Sequence, residues 1–69
     1  MNISENLRIL RKNSNFSQRD LAQAINVNQS FISQVERGTK TLSLIIAYEI
    51  SKALSCSLYD LLGIKEKEE

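Results

Sequence analysis

One cysteine, Cys56, and no histidine occur in this chain of 69 residues, and together they narrow how it can be stable. A domain of this length buries only about 60% of the surface that its unfolded chain exposes. Small folds usually make up the shortfall with disulfides, a structural metal or self-association. A single cysteine cannot close an intramolecular disulfide, and without histidine the common zinc-ligand patterns cannot be assembled. No metal and no cofactor is therefore expected, and self-association is the support that remains. The length also restricts the chain to one domain.

No proline interrupts the sequence and apolar residues make up 42% of it, which suits an all-α fold. Five short helices are predicted, and no stretch alternates as a strand would. The first, over residues 3–13, places Ile3, Leu7 and Leu10 on one face and turns Arg8 and Lys12 away; Asn13-Ser14-Asn15 breaks it. Ser17 and Asp20 form a capping box that opens the second helix, with Leu21, Ala22 and Ile25 as its buried stripe. Asn26 then takes a left-handed conformation, and Asn28 caps a third helix that Gly38 stops. Ser43 opens a fourth helix in which Leu44, Ala47, Ile50 and Leu54 keep helical spacing. A second capping box, Ser57 with Asp60, starts a fifth helix that carries Leu58, Leu61 and Leu62 and ends at Gly63. The expected domain is 1–64, and the charged tail KEKEE over 65–69 is expected to be solvated.

The third helix is chemically unusual. Its segment, NQSFISQVERG over residues 28–38, lacks the Lys and Glu density of a typical surface helix. At about 100° per residue, Gln29, Ser33, Arg37, Ser30 and Gln34 share one arc of about 140°. Phe31, Ile32 and Val35 take the opposite side. In isolation such a front is an ordinary wet helix face; its amides and hydroxyls also suit reading donors and acceptors on another surface. Residues 1–42 carry six Lys/Arg against three Asp/Glu, and residues 43–69 carry three against five. The basic half contains this helix, which is compatible with an anionic partner.

Two short helices joined by a tight turn, with the motif over about 18–37, describe a helix-turn-helix. The segment SQRDLAQAINVNQSFISQVERG resembles the motif of the Cro/C1-type (XRE-like) helix-turn-helix DNA-binding family. The patterns S-Q-x-x-L-A, I-S-x-V-E-R-G and A-L-x-x-S-L-x-x-L carry the resemblance, which runs from Leu7 through Leu62 and implies the compact five-helix lambda-repressor-like fold. In that family the second helix of the motif lies in the major groove. The resemblance implies that Gln29, Ser30, Ser33 and Gln34 read bases, since Gln pairs with adenine and Ser can donate or accept. It implies phosphate contacts for Gln18, Arg37, Thr39 and Lys40, which fix register without reading sequence. It makes Arg11 and Glu36 a structural ion pair between the first and third helices. Three positions depart from the family pattern: Asn26 and Ser55 stand where glycine is frequent, and Leu42 where many members have proline. Leu42-Ser43-Leu44, with FIS and VERG, is similar to the controller proteins of restriction–modification systems, which are small stand-alone dimers that regulate their own operon.

The expected function is thus a sequence-specific transcriptional regulator that binds a palindromic operator on double-stranded DNA as a homodimer and regulates itself. Of Ile45, Ile46 and Tyr48, some complete the core; Ile45 and Tyr48, with Leu58 and Ile64, are the candidates for the dimer contact. Arg37 and Lys40 have idle surface charge as the plain alternative, and Cys56 is read as a small packing residue. A protein-interaction module, such as the antidote of a toxin, would use the same helices but would need a longer extension than KEKEE. An enzyme is not expected: no histidine, no phosphate-binding loop and no nucleophile–base pair is present. The N-terminus lacks the pattern of a signal peptide and no apolar run approaches a membrane span, so a cytoplasmic protein is expected.

Overall fold

The computed structural model describes residues 2–64; the tail over 65–69 lies outside the described residues. Five helices follow one another: α1 (Ile3–Asn13), α2 (Gln18–Ala24), α3 (Gln29–Glu36), α4 (Leu44–Ala53) and α5 (Leu58–Leu62). Both capping boxes form. The Ser17 hydroxyl accepts the Asp20 backbone N–H at 2.9 Å, and the Asp20 carboxylate accepts the Ser17 N–H at 2.9 Å. Ser57 and Asp60 do the same for α5. Ser43 caps α4, and Asn2 caps α1, each by accepting a backbone N–H three residues on. Asn28 departs from expectation. It holds the N-cap position of α3 with extended backbone, yet its side chain makes no capping hydrogen bond.

The first four helices all close in the same way. The residue after each C-cap turns left-handed: Asn15, Asn26, Gly38 and Ser55, with φ of 61°, 60°, 81° and 54°. The next N–H then reaches back to the carbonyl five residues earlier: Phe16 to Arg11, Val27 to Ala22, Thr39 to Gln34 and Cys56 to Ser51. These are Schellman closures, which satisfy carbonyls that the helix itself leaves unpaired. Gly63, at φ of 73°, ends α5. The left-handed turn at Asn26 was expected; those at Asn15 and Ser55 were not. Phe16, Val27 and Cys56, one residue further on, pack against the core. Burial, with the nearby Asp60 carboxylate, pushes the Cys56 thiol up from its ordinary value, as befits a packing residue.

Each helix gives the core one residue with no exposed surface: Leu7, Leu21, Ile32, Ile50 and Leu61. Ala22, Val35, Ala47 and Leu54 fill the space between them. α2 packs on α3, α1 lies against both α3 and α5, and α4 against α5 and α2. Leu44 is a correction. Its spacing matched Ala47, Ile50 and Leu54, but it is 72% exposed. On the α4 wheel those three residues centre about 90° away from Leu44, so it falls on the edge of the stripe rather than within it. Ile46, by contrast, packs against the core. No helix among the described residues is long and apolar enough to cross a membrane.

The left-handed positions predict opposite responses to substitution. Ser55→Gly should raise stability by up to about 1 kcal/mol, because an L-residue in that conformation costs roughly 1–2 kcal/mol, partly offset by the greater freedom of glycine when unfolded. Gly63→Ala should lower it, since the added methyl meets both positive φ and the Asn6 side chain. Urea midpoints for the two variants, moving apart from wild type in opposite directions, are the measurement.

Candidate nucleic-acid interface

The expected front of α3 is presented as its wheel requires. Ile32 and Val35 hold the back of the helix in the core, and Phe31 packs against that core half-buried. On the other side Gln29 and Ser30 are exposed, while Ser33 and Gln34 are half-buried. Arg37, Thr39 and Lys40 follow on the exposed rim. Among the described residues neither Arg37 nor Lys40 is drawn into an ion pair; the pair present is Arg11 with Glu36. The arc of amides and hydroxyls therefore sits beside two exposed cations, a combination suited to reading polar edges while attracting a polyanion.

Arg11 and Glu36 form the ion pair that the resemblance implied. The Arg11 Nε donates to Glu36 Oε2 at 2.6 Å and its Nη2 donates to Oε1 at 3.1 Å, both within the buried interior. Its Nη1 donates to the Phe16 carbonyl at 2.8 Å, which binds the α1–α2 turn into the same network. Arg11 is thus turned inward, only 7% exposed.

Two residues matched to phosphate contacts have internal partners that sequence reasoning did not anticipate. The Gln18 Nε2 donates to Glu36 Oε1 at 3.1 Å, so its amide joins α2 to α3. The Thr39 hydroxyl donates to the Gln34 carbonyl at 3.1 Å, beside the Thr39 N–H, which donates to the same oxygen at 2.9 Å. The second of these had a signal: a Thr directly after the Gly that ends a helix stands where its N–H must turn back. The first depends on how α2 and α3 pack and had none.

The candidates for self-association separate by exposure. Ile45 is 75% exposed, Tyr48 53% and Ile64 45%, whereas Leu58 is half-buried against the core. Leu44 adds itself to this group. Leu44, Ile45 and Tyr48 span about 100° of the α4 wheel, and Lys52 sets its ammonium 5.4 Å from the centre of the Tyr48 ring. Among the described residues there is no pocket and no group of three or more side chains that could hold a metal ion.

A family model described as helix-turn-helix matches residues 7–61, which includes all five helices but for the ends of α1 and α5. The chain belongs to the helix-turn-helix family. It is a family of Cro/C1-type DNA-binding regulators rather than of enzymes. This helix-turn-helix chain is 35% identical to the HTH-type transcriptional regulator DicA of Escherichia coli (strain K12) over 69 residues, covering 99% of this chain and 51% of that protein. It is 45% identical to the control protein C.BamHI of Bacillus amyloliquefaciens over 49 residues, covering 71% and 60% respectively. The chain thus spans between half and two thirds of the length of these curated relatives. Among solved structures, the restriction-modification controller protein C.AhdI from Aeromonas hydrophila superposes with a TM-score of 0.83 at 30% identity, over 87% of this chain and 91% of that one. A hypothetical transcription factor, NHTF from Neisseria, superposes with a TM-score of 0.82 at 30% identity, over 87% and 69%.

Breaking the buried pair should be costly in this helix-turn-helix domain. Arg11→Met or Glu36→Gln alone is expected to lower stability by about 3–5 kcal/mol, because each leaves a buried group without its partner. The double replacement Arg11→Met with Glu36→Leu should cost far less, which chemical denaturation of all three variants checks. A second, pH-dependent effect comes from the α2 cap. The Ser17 backbone N–H, then the Ser17 hydroxyl, hold the Asp20 carboxyl below its ordinary value. A depressed folded value means that its contribution is present above the ordinary carboxylate range and is lost as pH falls through the folded value. Thermal melts between about pH 5 and 2 should therefore fall less steeply for Asp20→Asn than for wild type.

Proposed function

We propose that this chain is a sequence-specific transcriptional regulator that binds a palindromic operator on double-stranded DNA as a homodimer, in the cytoplasm, and controls its own promoter in the manner of a restriction–modification controller protein. Residues 1–64 act as the DNA-binding domain. The observation that carries the reading is the Gln/Ser front of α3, held by a buried apolar back and rimmed by Arg37 and Lys40. Gln29, Ser30, Ser33 and Gln34 are the base-reading residues of this proposal. Arg37 and Lys40 supply phosphate attraction.

Self-association is supported by the apolar surface that α4 leaves uncovered. Leu44, Ile45 and Tyr48 form an exposed apolar group of the kind that marks an interface, with Ile64 a further exposed residue at the end of α5. A two-fold pair would set its recognition helices about 34 Å apart, the separation of successive major grooves on one side of B-DNA. The resemblance to controller proteins, 45% identity with C.BamHI and a TM-score of 0.83 with C.AhdI, favours autoregulation.

Gel-shift titrations against a duplex selected from a random pool test the DNA reading. Gln29→Ala and Gln34→Ala should each weaken the selected duplex by about 1–3 kcal/mol and flatten preference at one position of each half-site. If both variants kept wild-type affinity and preference, the base-reading assignment would be wrong. For the dimer, Ile45→Asp and Tyr48→Asp should shift sedimentation equilibrium towards monomer and weaken operator binding together.

A further inference from the structure

The C-terminal turn of α3 is held from three sides. Glu36 accepts hydrogen bonds from Arg11 on α1 and from Gln18 on α2. Two residues earlier, the Gln34 carbonyl accepts both the N–H and the hydroxyl of Thr39. A threonine hydroxyl has one proton to give. When Thr39 donates it to Gln34, none is left for a phosphate oxygen, which only accepts. The backbone N–H is committed to the same carbonyl. Gln18 has likewise committed one of its two amide N–H groups to Glu36, and an ionised carboxylate there fixes which way that amide faces.

We infer that Gln18 and Thr39 are positioning residues that clamp the last turn of α3, so that the Gln34 side chain meets its base in fixed register. They serve sequence discrimination rather than phosphate attraction. The inference rests on the DNA-binding reading and gives two residues matched to phosphate contacts a different task. Its physical basis is the contrast between two kinds of contact. Helix ends fray where carbonyls lack partners, and a hydrogen bond to a base edge weakens steeply with misalignment. Charge attraction to the DNA backbone is long-ranged and tolerates such motion. Loosening this turn should thus reduce discrimination and leave general affinity in place.

Thr39→Val tests the inference directly, since Thr39 is exposed and the change keeps its β-branched shape. Binding is measured on the duplex selected by wild type and on a scrambled duplex of equal length, at several salt concentrations. Thr39→Val should lose about threefold to tenfold on the selected duplex, stay within about twofold on the scrambled one, and keep the salt dependence. Thr39→Ser should restore binding, and Gln18→Leu should behave as Thr39→Val. Lys40→Ala is the contrast, with equal loss on both duplexes and a shallower salt slope. Equal loss on both duplexes for Thr39→Val would put its hydroxyl on a phosphate and overturn the inference, as would no loss on either duplex. If wild type selects no sequence at all, the DNA reading fails separately. Amide exchange then decides the clamp: Thr39→Val must accelerate exchange at Arg37, Gly38 and residue 39, and unchanged exchange overturns it.

Discussion

Arg11 and Glu36 join the first and third helices through the interior, and the attitude of α3 in the domain depends on them. Moving two charges out of water is costly, and such a pair often adds little net stability over an apolar substitute. What it does add is direction. The guanidinium fork meets the carboxylate through two of its nitrogens and the α1–α2 turn through a third, so the two helices are fixed in rotation as well as in distance. Aliphatic core residues such as Leu7 and Ile32 impose no such direction on their neighbours. Among the described residues no buried side-chain nitrogen or oxygen lacks a partner, which is the condition under which a buried polar network rigidifies a fold.

Around that pair the core is economical. One fully buried aliphatic residue comes from each helix, and the small Ala22 and Ala47 let neighbouring helices approach. The back of α3 is consumed by this packing, which is why its front can afford to be chemically specialised. Gln29, Ser30, Ser33 and Gln34 lie outside the core cluster, so under the proposed function their identity answers to DNA. The exposed charge is kept at the rim, on Arg37 and Lys40.

Most of the helical organisation was legible because local rules and tertiary packing agree here. The two Ser-Asp boxes announce the starts of α2 and α5, and the spacing of Leu7, Leu21, Ile50 and Leu61 announces the buried faces. Where sequence reading failed, a residue satisfied a rule at its limit. Leu44 sits three positions before Ala47, which is helical spacing, but the stripe centre is set by Ile50 and Leu54 and lies away from it. Asn28 is a good N-cap type whose side chain makes no cap bond. The bond between Gln18 and Glu36 spans 18 positions and exists only once α2 and α3 are packed, so no local pattern encodes it. Ser55 offered only its departure from a frequent glycine, and its left-handed backbone supplies the reason for that preference. The candidate site was readable as a polar face on a wheel; which of its members also hold the helix in place was not.

The repeated Schellman closure has a kinetic meaning. Each turn between α1 and α2, α2 and α3, and α4 and α5 is specified within a few residues of itself, and the chain has no proline whose isomerisation could delay it. Helical domains built from such local contacts fold within microseconds to milliseconds, whereas proline isomerisation would add tens of seconds. A newly made copy is then ready almost at once. If two copies pair as proposed, the clock is set by how soon one copy meets another, and so by how many have been made.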